Sequence, residues 1–394
     1  MYKVFRLKSK LGKIENLLLR LDVEEKGNMQ AIYIPAHVSG YYVLWSFSPK
    51  QRITSKDVHF QELSIFESFI FWLRSFLAFS KYSKLSFPSC RIFFYGSRKE
   101  QKAFLRLNRF MSNSRMPFDS EKFLYVKELF EGWNDRPSSP KKSGLTIKSK
   151  IAIVVHCYYQ DTWIEISHIL LRLNFDFDLF VTVVEANKDF EQDVLKYFPS
   201  AQLYVMENKG RDVRPFLYLL ELGVFDRYDY LCKIHGKKSQ REGYHPIEGI
   251  IWRRWLFFDL LGFSDIAIRI INTFEQNPCL GMIGSRRYRR YKRWSFFAKR
   301  SEVYRRVIDL AKRAGFPTKR LHLDFFNGTM FWVKPKCLEP LRNLHLIGEF
   351  EEERNLKDGA LEHAVERFFA CSVRYTEFSI ESVDCVAEYE RLLH

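Results

Sequence analysis

The chain reads as an α/β protein whose larger part is a mostly parallel sheet flanked by helices, joined to an N-terminal module that is α-rich or mixed. Three observations predict this. Residues 151–159, IAIVVHCYY, form a continuous apolar, β-branched run, the pattern of a strand covered on both faces. Runs of that kind then alternate with segments of helical spacing, strand after helix after strand, which requires right-handed crossovers between parallel strands. Upstream of them, NDRPSSPKKSG (134–144) replaces the apolar pattern with Pro, Ser and Lys and marks a boundary between residues 1–145 and 146–394.

In the first part the sequence predicts a helix over about 9–22 and strands at AIYIPAHV and YYVLWSF. A long helix through 60–80 and a strand at RIFFYGS follow. The most apolar window, SIFESFIFWLRSFLAFS (64–80), carries Glu67 and Arg74 and is shorter than the ~20 residues a membrane span needs. It is suited to lie on a membrane rather than to cross one.

In the second part, IAIVVHCYY leads to a helix at TWIEISHILLRLN, a strand at FDLFVTVVEAN (177–187), a helix at DFEQDVLKYFP and a strand at AQLYVMENKG. The helix VRPFLYLLELG and the strand YDYLCKIHG come next. Two apolar helices, IEGIIWRRWLFFDLLG and SDIAIRIINTFEQN, precede a short strand LGMIG, a helix at about 301–314, the strand-like FFNGTMFWVKP and a last helix GALEHAVERFFA.

The net charge of +16 is uneven: residues 1–145 hold 25 Lys/Arg against 13 Asp/Glu, leaving 38 against 34 in the remainder. Such an excess suits a polyanion, whether nucleic acid, an anionic membrane or a phosphorylated substrate. The basic aromatic run RRYRRYKRWSFFAKR (286–300) has the interleaved cations and rings of a single-strand binder. No RNP, zinc-finger or helix-turn-helix signature accompanies it, so nucleic acid is not the expected partner. A surface facing anionic lipid or a lipid diphosphate is expected there instead, with a solvated loop as the plain alternative. Seven scattered cysteines with no CxxC pair read as reduced, buried thiols of a cytosolic protein, and the N-terminus lacks the apolar core of a signal peptide.

Ligands of parallel sheets sit outside the carboxyl ends of the strands. Four strand ends therefore converge: His156 and Tyr158; Glu185 and Asn187; Asn208-Lys209-Gly210-Arg211-Asp212; and Lys233, His235, Lys237 and Lys238. An acceptor among several cations is the layout a nucleotide diphosphate requires. Each segment has a plainer reading beside this one. VHCYY is core, NKGRD is a glycine turn with Asp212 capping the next helix, and KIHGKKS is a solvated loop. Further on, Asp358-Gly359 precedes a helix that would expose Glu362, His363 and Glu366, either as a cap with a solvated face or with one carboxylate as a general base.

Taken in order, ENKGRDVRPFL, YDYLCKIHGKKS, FFNGTMFWVKP and DGALEHAVER resemble the rhamnan synthesis protein F family of bacterial cell-surface polysaccharide clusters, over about 150–385. The resemblance implies a GT-A type glycosyltransferase acting with inversion on a dTDP-rhamnose-like donor. It places the donor among His156, Tyr158, Glu185, Asn208, Gly210, Arg211, Asp212, Lys233, His235, Lys237 and Lys238, and the acceptor beside Asn327, Gly328 and Thr329. Asp358, then Glu362, is the expected base. Many GT-A enzymes carry Asp-x-Asp with a divalent cation where this chain has Lys233-Ile234-His235, so no required cofactor is expected, with Mg²⁺ or Mn²⁺ left open. The expected partners are a nucleotide-sugar, a lipid-linked glycan and the anionic inner face of the cytoplasmic membrane. A non-catalytic, glycan- or membrane-binding assembly factor on a retired transferase fold is the alternative.

Overall fold

The computed structural model describes residues 3–9, 18–25, 28–35, 42–46, 52–54, 58–77, 82–86, 90–95, 147–185, 187–236, 238, 246–292, 301–318, 321, 323–354 and 358–384. The chain divides into two compact units, Met1–Gly132 with Lys238–Arg254, and Trp133–Lys237 with Trp255–His394.

The first unit is mixed rather than α-rich, with strands predominating among its described residues. Strands β1 (Lys3–Ser9), β2 (Leu18–Glu25), β3 (Asn28–Pro35), β4 (Tyr42–Ser46), β5 (Arg52–Thr54), β6 (Val58–Glu62), β7 (Tyr82–Ser86) and β8 (Cys90–Tyr95) accompany helix α1 (Ile65–Leu77). Two antiparallel sheets result, ordered β6-β1-β4-β8-β7 and β3-β2-β5. The helix expected over about 9–22 is corrected here. Leu18–Glu25 alternates Leu19, Leu21 and Val23 with Arg20, Asp22 and Glu24, a period of two, and pairs with β3 in the register Leu21↔Ile32. The remainder of that expected helix, 10–17, lies outside the described residues.

Helix α1 starts with a reciprocal cap. Ser64 Oγ accepts from the Glu67 N–H at 3.2 Å, and Glu67 Oε2 accepts from the Ser64 N–H at 2.9 Å. Phe71 anchors the helix among Val4, Leu63 and Phe93.

The second unit is an α/β fold on a seven-stranded sheet. Its strands are β9 (Ile151–His156), β10 (Asp178–Val183), β11 (Gln202–Val205), β12 (Tyr230–His235), β13 (Leu280–Ser285), β16 (Phe331–Val333) and β17 (Ser379–Val383). A separate ribbon pairs β14 (Arg289–Lys292) with β15 (Leu323–Phe326). The helices are α2 (Trp163–Leu170), α3 (Lys188–Tyr197), α4 (Val213–Glu221), α5 (Pro246–Leu261, begun in the first unit), α6 (Phe263–Gln276), α7 (Glu302–Arg313), the short α8 (Glu339–Arg342) and α9 (Leu361–Tyr375).

The sheet order is β11-β10-β9-β12-β16-β13-β17. Every neighbouring pair is parallel except the two made by β16, which runs antiparallel to both β12 and β13. The chain winds outward from β9 through β10 to β11, then crosses back to lay β12 on the other side of β9. That reversal puts the topological switch point between β9 and β12, where His156 and His235 lie opposite each other in register.

Strand β9 is buried along its whole length, as its apolar run requires, and β12 is equally buried although it carries Lys233 and His235. The core beside them is aromatic: Phe216 of α4 stacks on Phe225 at 5.5 Å and meets Phe369 of α9 edge-on at 5.7 Å. The segment FFNGTMFWV is not one strand but two, belonging to different sheets, with a turn between Phe326 and Phe331. Of the cysteines, Cys157, Cys232, Cys337 and Cys371 are buried free thiols, Cys279 is free but exposed, and the side chains of Cys90 and Cys385 lie outside the described residues. Burial raises the Cys232 thiol well above its ordinary value.

Candidate functional site

At the switch point the basic strand tip meets an acid. Lys233 on β12 is 1% exposed, and its ammonium donates to Asp212 Oδ2 at 2.5 Å and to the Thr329 carbonyl at 2.9 Å. The ring face of Phe216 lies 5.7 Å from the same nitrogen. Thr329 Oγ1 also donates to Asp212 Oδ2. His235 Nε2 donates to the Gly328 carbonyl at 2.8 Å and lies 3.9 Å from Asp212 Oδ2. Lys233 and His235 are two positions apart on a strand, so both side chains project to the same face and act on the same turn.

Burial alone would raise the Asp212 carboxyl, but His235, Lys233 and the Thr329 hydroxyl together hold it well below the carboxylate range. On the neighbouring strand, burial lowers His156 to about 4, and its Nδ1 lies 2.9 Å from Thr182 Oγ1.

Two features of the backbone make this cluster possible. Gly210 and Arg211 are successive left-handed residues, with φ of 63° and 53°, and Gly328 and Thr329 are another such pair, with φ of 103° and 50°. Left-handed geometry at a non-glycine residue is maintained only where surrounding contacts impose it, and such residues gather at functional sites. Asp212 occupies the position that would cap α4 but makes no capping bond. The turn-plus-cap reading of NKGRD therefore fails, because the carboxylate is turned to Lys233 and Thr329.

Arg211 forms the second half of the site. Its Nε and Nη2 donate to both oxygens of Glu353 at 2.7 and 3.0 Å, Glu362 lies 3.7 Å from Nε, and His363 Nε2 is 3.0 Å from Nη1. Desolvation raises the Glu362 carboxyl above its usual range against the pull of Arg211, and the charges of Glu353 and Asp212 push the same way. Gly328 N–H donates to Glu366 at 2.8 Å, Arg367 lies 3.7 Å from Glu366, and Arg367 reaches Asp358 at 3.3 Å. Glu362, His363 and Glu366 are thus paired and largely buried rather than a solvated helix face. Asp358 is the exposed member, three links from the turn and bound to Arg367.

The strand ends expected to converge do share one edge of the sheet. Gln160 joins two of them, its Nε2 donating to the Glu185 carbonyl at 3.1 Å and its Oε1 accepting from Asn187 at 2.9 Å. Asn187 caps α3 through its Oδ1. Tyr158, Glu185 and Asn208 are exposed at this edge, and Asn327 is half-buried in the turn. Lys237 lies outside the described residues, and Lys238 falls in the first unit.

Lys233 and His235 were expected to stand as bare cations for a diphosphate, and here the geometry corrects the expectation. The ammonium is neutralised by Asp212, and both side chains hold the 328–329 turn. That turn, expected on the acceptor side, is bonded to donor-side residues instead. Sequence reasoning missed Glu353 and Gln160. Glu353 sits in an unbroken acidic run that looks solvated, 142 residues from Arg211.

A divalent cation of the Asp-x-Asp kind does not fit this donor set. Lys233 brings positive charge, and the carboxylate bonded to it, Asp212, already serves a cation and a hydroxyl. Among the described residues no group of three or more His, Cys, Asp or Glu is disposed to hold a metal ion.

The model of the family described as "Rhamnan synthesis protein F" matches residues 136–377, more than half of the chain and all of this site. The chain belongs to the rhamnan synthesis protein F family. That family membership connects it with polysaccharide synthesis. Two curated relatives, each named "Uncharacterized protein WxcX" and from two strains of Xanthomonas campestris pv. campestris, are 26% identical over 238 residues. The match covers 59% of this chain and 32% of each relative, so it spans about a third of those proteins. Within the rhamnan synthesis protein F match, Asp212, Lys233, Thr329, Arg211 and Glu353 come from four separate stretches of sequence.

Part of the basic run 286–300 is structural. Tyr288 is buried, and Arg289 clamps Asp324 with bonds of 2.7 and 2.6 Å. Arg286, Arg290 and Tyr291 remain exposed, and 293–300 lie outside the described residues. Among the described residues no helix is long and apolar enough to cross a membrane.

Proposed function

We propose that the chain is a glycosyltransferase of GT-A type that moves rhamnose or a related deoxyhexose from a nucleotide-sugar, dTDP-rhamnose in the first instance, to a lipid-linked glycan. The carrying observation is the Asp212–Lys233–Thr329 cluster at the switch point of a parallel sheet, in a family tied to polysaccharide synthesis. Both bonds to Asp212 use Oδ2, which leaves Oδ1 as an acceptor for a ribose or sugar hydroxyl. Glu185 and Asn208, exposed at neighbouring strand ends, are suited to the base and ribose.

The reaction is a single displacement. A carboxylate takes the proton of the acceptor hydroxyl, that oxygen bonds to the anomeric carbon, and the bond to the nucleotide diphosphate breaks, its electron pair leaving with the phosphate. Glu362 suits the base better than Asp358: burial raises its carboxyl above the usual range in spite of Arg211, the direction a proton acceptor requires. Arg211 adjoins Asp212 in the chain and its side chain is 31% exposed where that of Lys233 is 2%, so electrostatic support for the departing diphosphate is assigned to it.

The test is calorimetric titration with dTDP, UDP and GDP, with and without Mg²⁺. Binding of one nucleotide, weakened in Arg211→Ala, followed by sugar transfer in a coupled assay, supports the reading. Absence of binding to all three under every condition favours the assembly-factor alternative.

A further inference from the structure

The strongest feature outside the switch point is the surface of α1. Ile65, Phe66, Phe69, Trp72 and Leu73 are 87%, 72%, 57%, 47% and 40% exposed, where the other large apolar side chains among the described residues are mostly buried. At 100° per residue these five fall within an arc of about 120°, a continuous apolar stripe of the width that normally faces a core. The opposite side supplies the anchor: Phe71 is 8% exposed and packs on Val4, Leu63 and Phe93. The helix is therefore fixed to its unit by one face and presents a second apolar face outward.

The chemistry around the stripe selects its occupant. Residues 1–145 carry 25 Lys/Arg against 13 Asp/Glu. Arg6 on β1 is close enough to act on Glu67 at the start of the helix, whose carboxyl is lowered first by its bonds to Ser64. At 13 residues the helix is about 20 Å long, too short for a hydrocarbon layer of about 30 Å. We infer that α1 is an in-plane membrane anchor, its Ile65–Leu73 stripe inserted at the headgroup boundary of an anionic bilayer and the basic unit around it held by lipid charge. An apolar stripe adds area-dependent binding and the cations add a salt-sensitive share, and two such signals together give stable attachment.

The experiment is co-sedimentation of the full chain with vesicles of phosphatidylglycerol and phosphatidylcholine, and with vesicles of phosphatidylcholine alone. Binding to the anionic vesicles is expected to exceed binding to the neutral ones and to weaken with salt. Phe66→Ser with Phe69→Ser is expected to reduce it by at least about tenfold, since each large side chain withdrawn from water contributes about that factor. Both positions are exposed, so the circular dichroism spectrum and unfolding midpoint should not move. If they do, Ile65→Gln with Leu73→Gln replaces the pair. Equal binding by parent and variant, or by neutral and anionic vesicles, overturns the inference. So does a parent chain that ignores vesicles but sediments as a dimer broken by the substitutions, which would assign the stripe to a second copy of this chain.

Discussion

Lys233 and Asp212 form a buried ion pair 2.5 Å long in which the lysine comes from the middle of a sheet and the aspartate from the turn before a helix. Removing one partner strands the other charge away from water. Lys233→Met is expected to cost about 3–5 kcal/mol of unfolding free energy, and adding Asp212→Asn in the same chain should recover much of it. Urea unfolding of the two singles and the double measures the cycle. Additive losses would show that the pair is not coupled.

The acid limb of stability should have two contributors. His156 has a folded value of about 4 against 6.5 ordinarily, so the unfolded chain binds the proton first. Its share, about 3 kcal/mol by linkage, is complete above pH 6.5 and is lost as pH falls toward 4. Asp212 is depressed in the fold, so its share is present above its unfolded value and is lost at still lower pH. In His156→Asn the first slope should vanish while the lower one persists, as read from unfolding midpoints between neutral pH and pH 3.

Gly210 tests the left-handed turn. A Cβ there would lie 2.6 Å from Arg214 Cβ and collide with the Phe350 ring, at a φ of 63°. Gly210→Ala should lower stability by more than about 1 kcal/mol and disturb the Arg211 contacts. A midpoint equal to the parent's would refute the geometry of this turn.

Glu353 should behave as a positioning residue. In Glu353→Ala the Arg211 guanidinium loses its two-point partner, and the bridge between Lys209 and Glu352 loses its nearest tie. Faster hydrogen exchange confined to 207–211 and 350–354 is expected, with a stability loss of about 1–3 kcal/mol. Exchange unchanged in both segments would mean the clamp does not order them.

The choice of base has a pH signature. If Glu362 takes the acceptor proton, the acid limb of kcat lies above the ordinary glutamate value, since burial raises its pKa. Glu362→Gln should then depress kcat with little change in donor binding, while Asp358→Asn should leave kcat nearly intact. The reverse pattern would return the role to Asp358.

Much of the second unit was legible because its strands are buried on both faces. IAIVVHCYY, FDLFVTVVEAN and YDYLCKIHG are predominantly apolar runs rich in β-branched and aromatic residues, and their order, alternating with helices, points to the parallel sheet and the edge where ligands belong. What a run cannot reveal is a partner far along the chain. Lys233 looked like a solvent-facing cation because Asp212 and Thr329 are 21 and 96 residues away. The same holds for Glu353, whose acidic neighbours make it look solvated. The first unit was harder for a different reason: Leu18–Glu25 has apolar spacing that suits a helix over a few residues and the middle strand of a small sheet over eight.

The antiparallel strand β16 is three residues long, yet it alone joins β12 to β13. It is synthesised after both. Until Phe331–Val333 emerges from the ribosome, β12 keeps a raw edge and β13 has no neighbour in the sheet, since β17 is made later still. The strand next to Thr329 is thus also the keystone, and the Asp212–Lys233–Thr329 cluster forms in the same step that joins β12 to β13.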